Sequence, residues 1–262
     1  MKTLHLAAAA ALSLALAGPP AAALAAAPTP PAPGPTAAAP PAIDPDAVEA
    51  LRKMSAYLST LPGFELTSKT SLDLVTVDGQ KLTFDGVARY KARRPNGLVL
   101  EVSSDLKTRK YFYDGKEFTV LAPELGYYAT VPAPATIRET LDTLYQKFGV
   151  ELPLDDLFRW SEPGGTRAEK LTSAFDVGSA TIEGVDTEQY AFREGDIDWQ
   201  IWITEGDKPL PVKVVIVDRT DPALPAYVAR LSWNTSPTFA ADDFTFHPPS
   251  GARSIKFGLA SK

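Results

Sequence analysis

The chain has 262 residues, 45% hydrophobic and 22% charged, with no cysteine and a formal net charge of −6. That length holds one or two ordinary domains. The lack of cysteine excludes disulfides, thiolate metal sites, a cysteine nucleophile and a cysteine-linked lipid anchor. The acidic balance argues against nucleic acid as a partner, because little basic surface is left to meet a phosphate backbone.

At the N-terminus, Lys2 supplies a positive start, and Leu6 to Ala17 is an alanine–leucine run broken only by Ser13. Pro19 and Pro20 end the run, and Ala23-Leu24-Ala25 places small residues where a signal peptidase needs them. A cleavable signal peptide over residues 1–25 is predicted, its apolar run of ~12 residues being too short to span ~30 Å of hydrocarbon. The mature protein, with no transmembrane segment, is expected in the periplasm or outside the cell. Residues 26–43 are dominated by Ala and Pro. Such a stretch buries too little surface to offset its ordering entropy and reads as a disordered tether. One domain over residues 44–262 is expected to follow.

Asp44-Pro45 is a helix start, and Val48, Leu51, Met54, Leu58 and Leu61 recur at helical spacing until Pro62-Gly63. A two-residue period then takes over. Phe64, Leu66, Leu72 and Leu74 share one parity; Asp78-Gly79 marks a hairpin; Leu82, Phe84, Ala88, Tyr90 and Ala92 return on one face. Further strands are predicted over Leu98–Val102, Lys110–Tyr113, Lys116–Leu121 and Gly126–Val131. Thr136 and Glu139 form a capping box ahead of the stripe Ile137, Leu141, Leu144, Tyr145 and Phe148. Pro153–Trp160 reads as a second short helix and Arg167–Phe175 as a third. Strands resume over Ala180–Glu183, Glu188–Arg193, Asp198–Thr204, Val212–Arg219 and Tyr227–Asn234, and Pro248-Pro249 ends the last clear element. About ten strands with helices at the start and middle make the class α+β, with a large antiparallel sheet that must curl or close.

Catalytic chemistry is hard to place. The predicted mature chain keeps His247 as its one histidine, beside Pro248-Pro249, which cannot build a usual zinc site. No Gly-x-Ser-x-Gly elbow, P-loop or dinucleotide fingerprint is present. Asp155-Asp156 and Asp242-Asp243 are adjacent, so their side chains diverge in a regular element, and capping or turn roles account for them. The chain therefore reads as non-enzymatic, with no catalytic residue, no metal and no cofactor. Aromatic side chains are the remaining signal: Tyr111, Phe112, Tyr113, Phe118, Tyr127 and Tyr128 crowd one stretch, and Trp199, Trp202 and Trp233 lie on later strands. They serve either as packed core or as the lining of an apolar cavity.

Several segments together resemble an uncharacterised family of predicted periplasmic proteins, domain of unknown function 2092. They are Tyr113-Asp114-Gly115-Lys116, the run from Tyr128 to Ile137, Leu152-Pro153-Leu154-Asp155-Asp156-Leu157, the run from Asp198 to Ile203, and Pro209-Leu210-Pro211. The resemblance spans about Asp44 to Phe257. It departs near Thr187, where family members often carry a cysteine. The family's fold is similar to that of the periplasmic lipoprotein carrier and its outer-membrane receptor (LolA and LolB), and so implies an incomplete, half-open antiparallel barrel with helices on its concave side. What it implies for function is a carrier or chaperone for an apolar ligand such as an acyl chain, a lipid or a lipoprotein. Candidate cavity-lining residues are Leu72, Leu74, Leu82, Phe84, Tyr90, Phe118, Trp199 and Ile201. Each would gain ~1.5–3 kcal/mol from burial against ligand or against core, so the pattern leaves both open. The alternative is an envelope protein-interaction or sensing module with no lipid ligand.

Overall fold

The computed structural model describes residues 43–160, 165–166, 168–240 and 242–258. The signal peptide and nearly all of the tether expected from the sequence lie outside them. Among the described residues three α-helices, α1 (Pro45–Thr60), α2 (Ile137–Phe148) and α3 (Asp156–Trp160), accompany twelve strands. The strands are β1 (Gly63–Val75), β2 (Lys81–Arg93), β3 (Gly97–Ser104), β4 (Thr108–Tyr113), β5 (Glu117–Ala122), β6 (Tyr127–Pro132), β7 (Leu171–Ile182), β8 (Val185–Glu194), β9 (Ile197–Thr204), β10 (Pro211–Asp218), β11 (Ala226–Asn234) and β12 (Arg253–Ser254).

All twelve form one sheet in the order β12-β6-β5-β4-β3-β2-β1-β11-β10-β9-β8-β7; β7 and β12 are its end strands and do not pair with each other, so the sheet stays open. Neighbours run antiparallel except β6 and β12, which are parallel. Antiparallel partners project to the same face, so the register defines an inner and an outer face. Phe64, Leu66 and Ser68 of β1 point inward with Ala92, Tyr90 and Ala88 of β2, and all six are buried. Glu65, Lys69 and Asp73 point outward against Lys91, Val87 and Thr83.

The helices cover part of the inner face. In α1, Asp44 accepts a hydrogen bond from the Asp46 amide at 2.9 Å, Pro45 opens the first turn, and Ala47, Leu51, Met54 and Leu58 are buried. In α2, the Thr136 hydroxyl caps the helix as predicted by accepting from the Glu139 amide, while the Glu139 carboxylate accepts from that hydroxyl rather than from the Thr136 N–H. Gly149 ends the helix at φ 63°, a left-handed turn that glycine takes without strain. The Tyr113 hydroxyl donates to the Pro134 carbonyl at 2.6 Å, and the Tyr90 hydroxyl donates to the Pro153 carbonyl. Those bonds pin the segments before α2 and α3 to the sheet while satisfying hydroxyls that burial would otherwise leave unmatched. Phe158 of α3 packs on Phe64 with ring centroids 5.9 Å apart.

The chain after β11 wraps the sheet. Phe244 lies against Gly97, where even a Cβ would come within 3.0 Å of its ring, and the Arg93 guanidinium sits over the same ring at 4.4 Å. Phe246 packs on Phe112 and Tyr128. Phe257 packs on Phe118 and Phe148, so the tail passes from outer to inner face around the β6 side.

Two sequence expectations need correction. Residues Arg167–Phe175 do not form a third helix: only Ala168–Lys170 makes a helical turn, and β7 begins at Leu171. The second helix is confined to Asp156–Trp160 rather than starting at Pro153. The described residues form twelve strands: the one with no counterpart in the sequence reading is the two-residue β12, and β7 is longer than Ala180–Glu183.

Candidate functional site

One inner-face row crosses the sheet without full cover. Register pairs Phe84 with Leu72, Leu72 with Tyr227, Tyr227 with Ile216, Ile216 with Trp199 and Trp199 with Phe192. Phe192 and Trp199 are buried and stacked at 4.3 Å, and Trp160 of α3 lies over Trp199 at 6.0 Å. Toward β2 the cover stops. Leu72, Leu74 and Leu82 keep 40%, 41% and 39% of their surface exposed, and Phe84, Tyr227 and Ile216 are half-buried.

The β1–β2 hairpin carries this uncovered stretch beyond its neighbour. The last β2–β3 pair is Gly86 with Ser104, whereas β1 and β2 stay paired to Val75 and Lys81. Its outer face is tied by polar contacts. The Thr83 hydroxyl donates to Asp73 at 2.6 Å, the Ala226 amide donates to the same carboxylate at 3.2 Å, and Lys81 sits 3.2 Å away. The Thr83 hydrogen bond, aided by the Ala226 amide and Lys81, holds the Asp73 carboxyl below its usual range. The hairpin is thus an amphipathic arm: ionic outside, leucine-rich inside.

Beside Trp199 the row opens into a cavity of about 450 Å³ lined by Asp156, Trp160, Thr166, Ile197, Val214 and Ile216, among others. Trp160, Ile197, Trp199, Val214 and Ile216 give it apolar walls, and Asp156 and Glu194 also line it. Behind the row, Ser68 Oγ and Tyr227 Oη are buried and make no hydrogen bond with a described group. Burial pushes the Tyr227 hydroxyl far above the ordinary phenol range, and the nearby Ser68 hydroxyl offsets only part of that. Tyr90, held to Pro153, is raised for the same chief reason.

The eight residues singled out from the sequence divide by depth. Leu72, Leu74, Leu82 and Phe84 form the uncovered arm; Trp199 lies between row and cavity; Tyr90, Phe118 and Ile201 are buried among core side chains. The structure brings Ile216, Tyr227, Val214 and Trp160 to the same place, and the sequence pattern does not single them out as site residues. The alternation of Val212, Val214 and Ile216 is the available signal for two of them. Nothing local signals which row the helices leave bare. His247 stands apart, 2.7 Å from the Asp242 carboxylate and well exposed. Among the described residues no group of three or more His, Cys, Asp or Glu could hold a metal ion, and no helix is long and apolar enough to cross a membrane.

The family described as "Predicted periplasmic protein (DUF2092)" matches residues 47–258. No curated protein matches the sequence significantly. Among solved structures the chain is similar to an uncharacterized conserved protein from Thermus thermophilus, with 12% identity, 80% of this chain and 99% of that one covered, and a TM-score of 0.48. It is similar to LprF from Mycobacterium bovis, with 13% identity, 82% and 100% covered, and a TM-score of 0.46. It is also similar to the Mycobacterium tuberculosis lipoprotein LppX, with 12% identity, 75% and 98% covered, and a TM-score of 0.46.

Proposed function

The chain belongs to the family of predicted periplasmic proteins with domain of unknown function 2092, and from that premise we propose that it is a non-enzymatic periplasmic carrier or chaperone that binds an apolar chain along the uncovered inner-face row. The observation that carries this reading is the continuity of the Phe84–Leu72–Tyr227–Ile216 row with the cavity beside Trp199. Its volume of about 450 Å³ falls within the range of small-molecule sites, roughly 300–1,000 Å³. From β9 to β2 the row crosses four strand spacings of ~4.8 Å each, a path of ~19 Å, which suits an extended acyl chain of a fatty acid, phospholipid or lipoprotein. Trp199 and Ile216 would form the floor, and Leu72, Leu74, Leu82 and Phe84 the open lip. Tyr90, Phe118 and Ile201 project from the same face into the helix-covered core beside it.

The half-exposed leucines of the arm favour one second reading, an envelope protein that docks on the lip with no lipid involved. Solvent extraction of protein purified from its native envelope, followed by mass spectrometry, separates the two. A stoichiometric acyl lipid, with uptake of a fluorescent fatty acid weakened about tenfold by Ile216→Trp, is the expected result. A clean extract and no probe uptake would sink the carrier reading and leave the protein-docking one.

A further inference from the structure

The two ends of the sheet have opposite tips. At the end where the β1–β2 hairpin turns, Val77 is fully exposed. The β3–β4 turn lies at the same end and carries Leu106, 57% exposed; the β5–β6 turn carries Leu125, 62% exposed; the β10–β11 turn carries Leu224, 50% exposed. Antiparallel pairing fixes this placement, because Val75 with Lys81, Ser103 with Thr108, Ala122 with Tyr127, and Val217 with Ala226 each close a hairpin at that end. At the opposite end the turns are Arg94-Pro95-Asn96, Asp114-Gly115-Lys116, Glu183-Gly184 and Glu205 to Pro209; none of these residues is an exposed large apolar one, although Val185, 42% exposed, directly follows Glu183-Gly184.

None of the four tips is part of the buried core. Leu224 additionally sits at φ 48°, the left-handed region that a leucine occupies at a cost. Four turns thus each hold out one large apolar side chain that this chain's own core does not use. We propose that this end of the sheet docks on a lipid bilayer surface, its tips seated at the boundary between headgroups and acyl chains.

The arrangement favours a bilayer over a protein. A protein partner needs a continuous complementary patch, whereas these side chains stand singly on separate turns, and a fluid interface accepts separate prongs. Tyr127, exposed, stands two residues from Leu125 at the start of β6, and an exposed tyrosine suits the headgroup level. Lys107, Arg219 and Arg253 stand at the same end but are outnumbered there by Asp78, Asp105, Glu124, Asp196, Asp218 and Asp221, so the apolar tips rather than charge would seat it. The cavity beside Trp199 is bordered by Glu194 and Gly195 of the β8–β9 turn, so it too lies toward this end. A docked molecule would therefore face the bilayer with both its arm and its cavity.

The test is flotation of the protein with vesicles of phosphatidylethanolamine and phosphatidylglycerol. The parent is expected to float with the vesicles. Val77→Ser, Leu106→Ser, Leu125→Ser and Leu224→Ser combined should lower its partition at least about tenfold, and Val185→Ser at the other end should not. Uptake of a soluble fluorescent fatty acid by the combined variant reports separately on its fold and on the proposed ligand site. Because the chain has no cysteine, Leu125→Cys and Val185→Cys each accept one polarity-sensitive dye. A blue shift on vesicles at position 125 and none at 185 is the second expected result. A parent that ignores vesicles, a combined variant that floats as well as the parent, or a dye at 125 that stays in water would each overturn the proposal, and would assign the tips to a protein contact instead.

Discussion

The helix-covered end of the inner face and the end near the β1–β2 turn are built from the same kinds of residue and behave as different materials. At the covered end, Phe64 is sealed by α3, Tyr113 by the segment before α2, and Leu98 beside them is buried. At the other end, Leu72, Leu82 and Phe84 occupy equivalent alternating positions and remain half in water. The difference is cover, not composition. An apolar strand face becomes core only where something is laid on it, and where nothing is, it stays available for a partner.

The largest expected effect tests that contrast directly. Phe64→Ala should destabilise the domain by about 3–5 kcal/mol, and Leu82→Ala on the same face by less than about 1 kcal/mol, both read from urea midpoints. Equal losses would break the comparison, since they would mean that the arm is as well packed as the core. Thr136→Ala removes the cap that starts the covering helix α2 and should cost about 1 kcal/mol. If loosening α2 also strengthens uptake of the fatty-acid probe, cover and binding compete for one surface.

The smallest effect concerns charge near the covered end. Glu188 lies by the first turns of α1, and burial, with Asp176 and Glu205 adding to it, raises its carboxyl above the usual range. The folded state then holds the proton more tightly than the unfolded chain. Stability is therefore lost as pH rises through the raised value, and nothing is lost where both states are protonated. Glu188→Gln should raise the urea midpoint slightly at pH 7 and leave it unchanged at about pH 4 or below. A gain that persists at the lower pH would point to packing rather than charge.

Much of the fold was legible because its signals are local. The caps at Asp44 and Thr136, the turn at Asp78-Gly79 and the alternation along β1, β2, β9, β10 and β11 fix the elements and the face each residue takes. The misread stretch is instructive. Register shifts between Leu171 and Ser173, and again between Asp176 and Gly178, break the two-residue period of β7 at its start, so a strand there looks helical. The two-residue β12 and the wrap of Phe239, Phe244, Phe246 and Phe257 depend on long-range pairing in a proline-rich stretch and leave no period to read. The same holds for the candidate site. Parity put Leu72, Leu82, Phe84 and Trp199 on one face, but only the placement of three helices decides which of them stays bare.

The borders of the open sheet carry a consequence for self-association. An exposed strand border is a template on which another copy can build. Here the chain's own extremities meet both borders: Ile43 bridges to Ala174 on β7, with the Asp44 amide bonded to the Ala174 carbonyl, and Arg253–Ser254 lie along β6. The two ends of the folded chain act as hems. Trimming either one would cost few core contacts, yet it would leave a selvage from which polymer could grow.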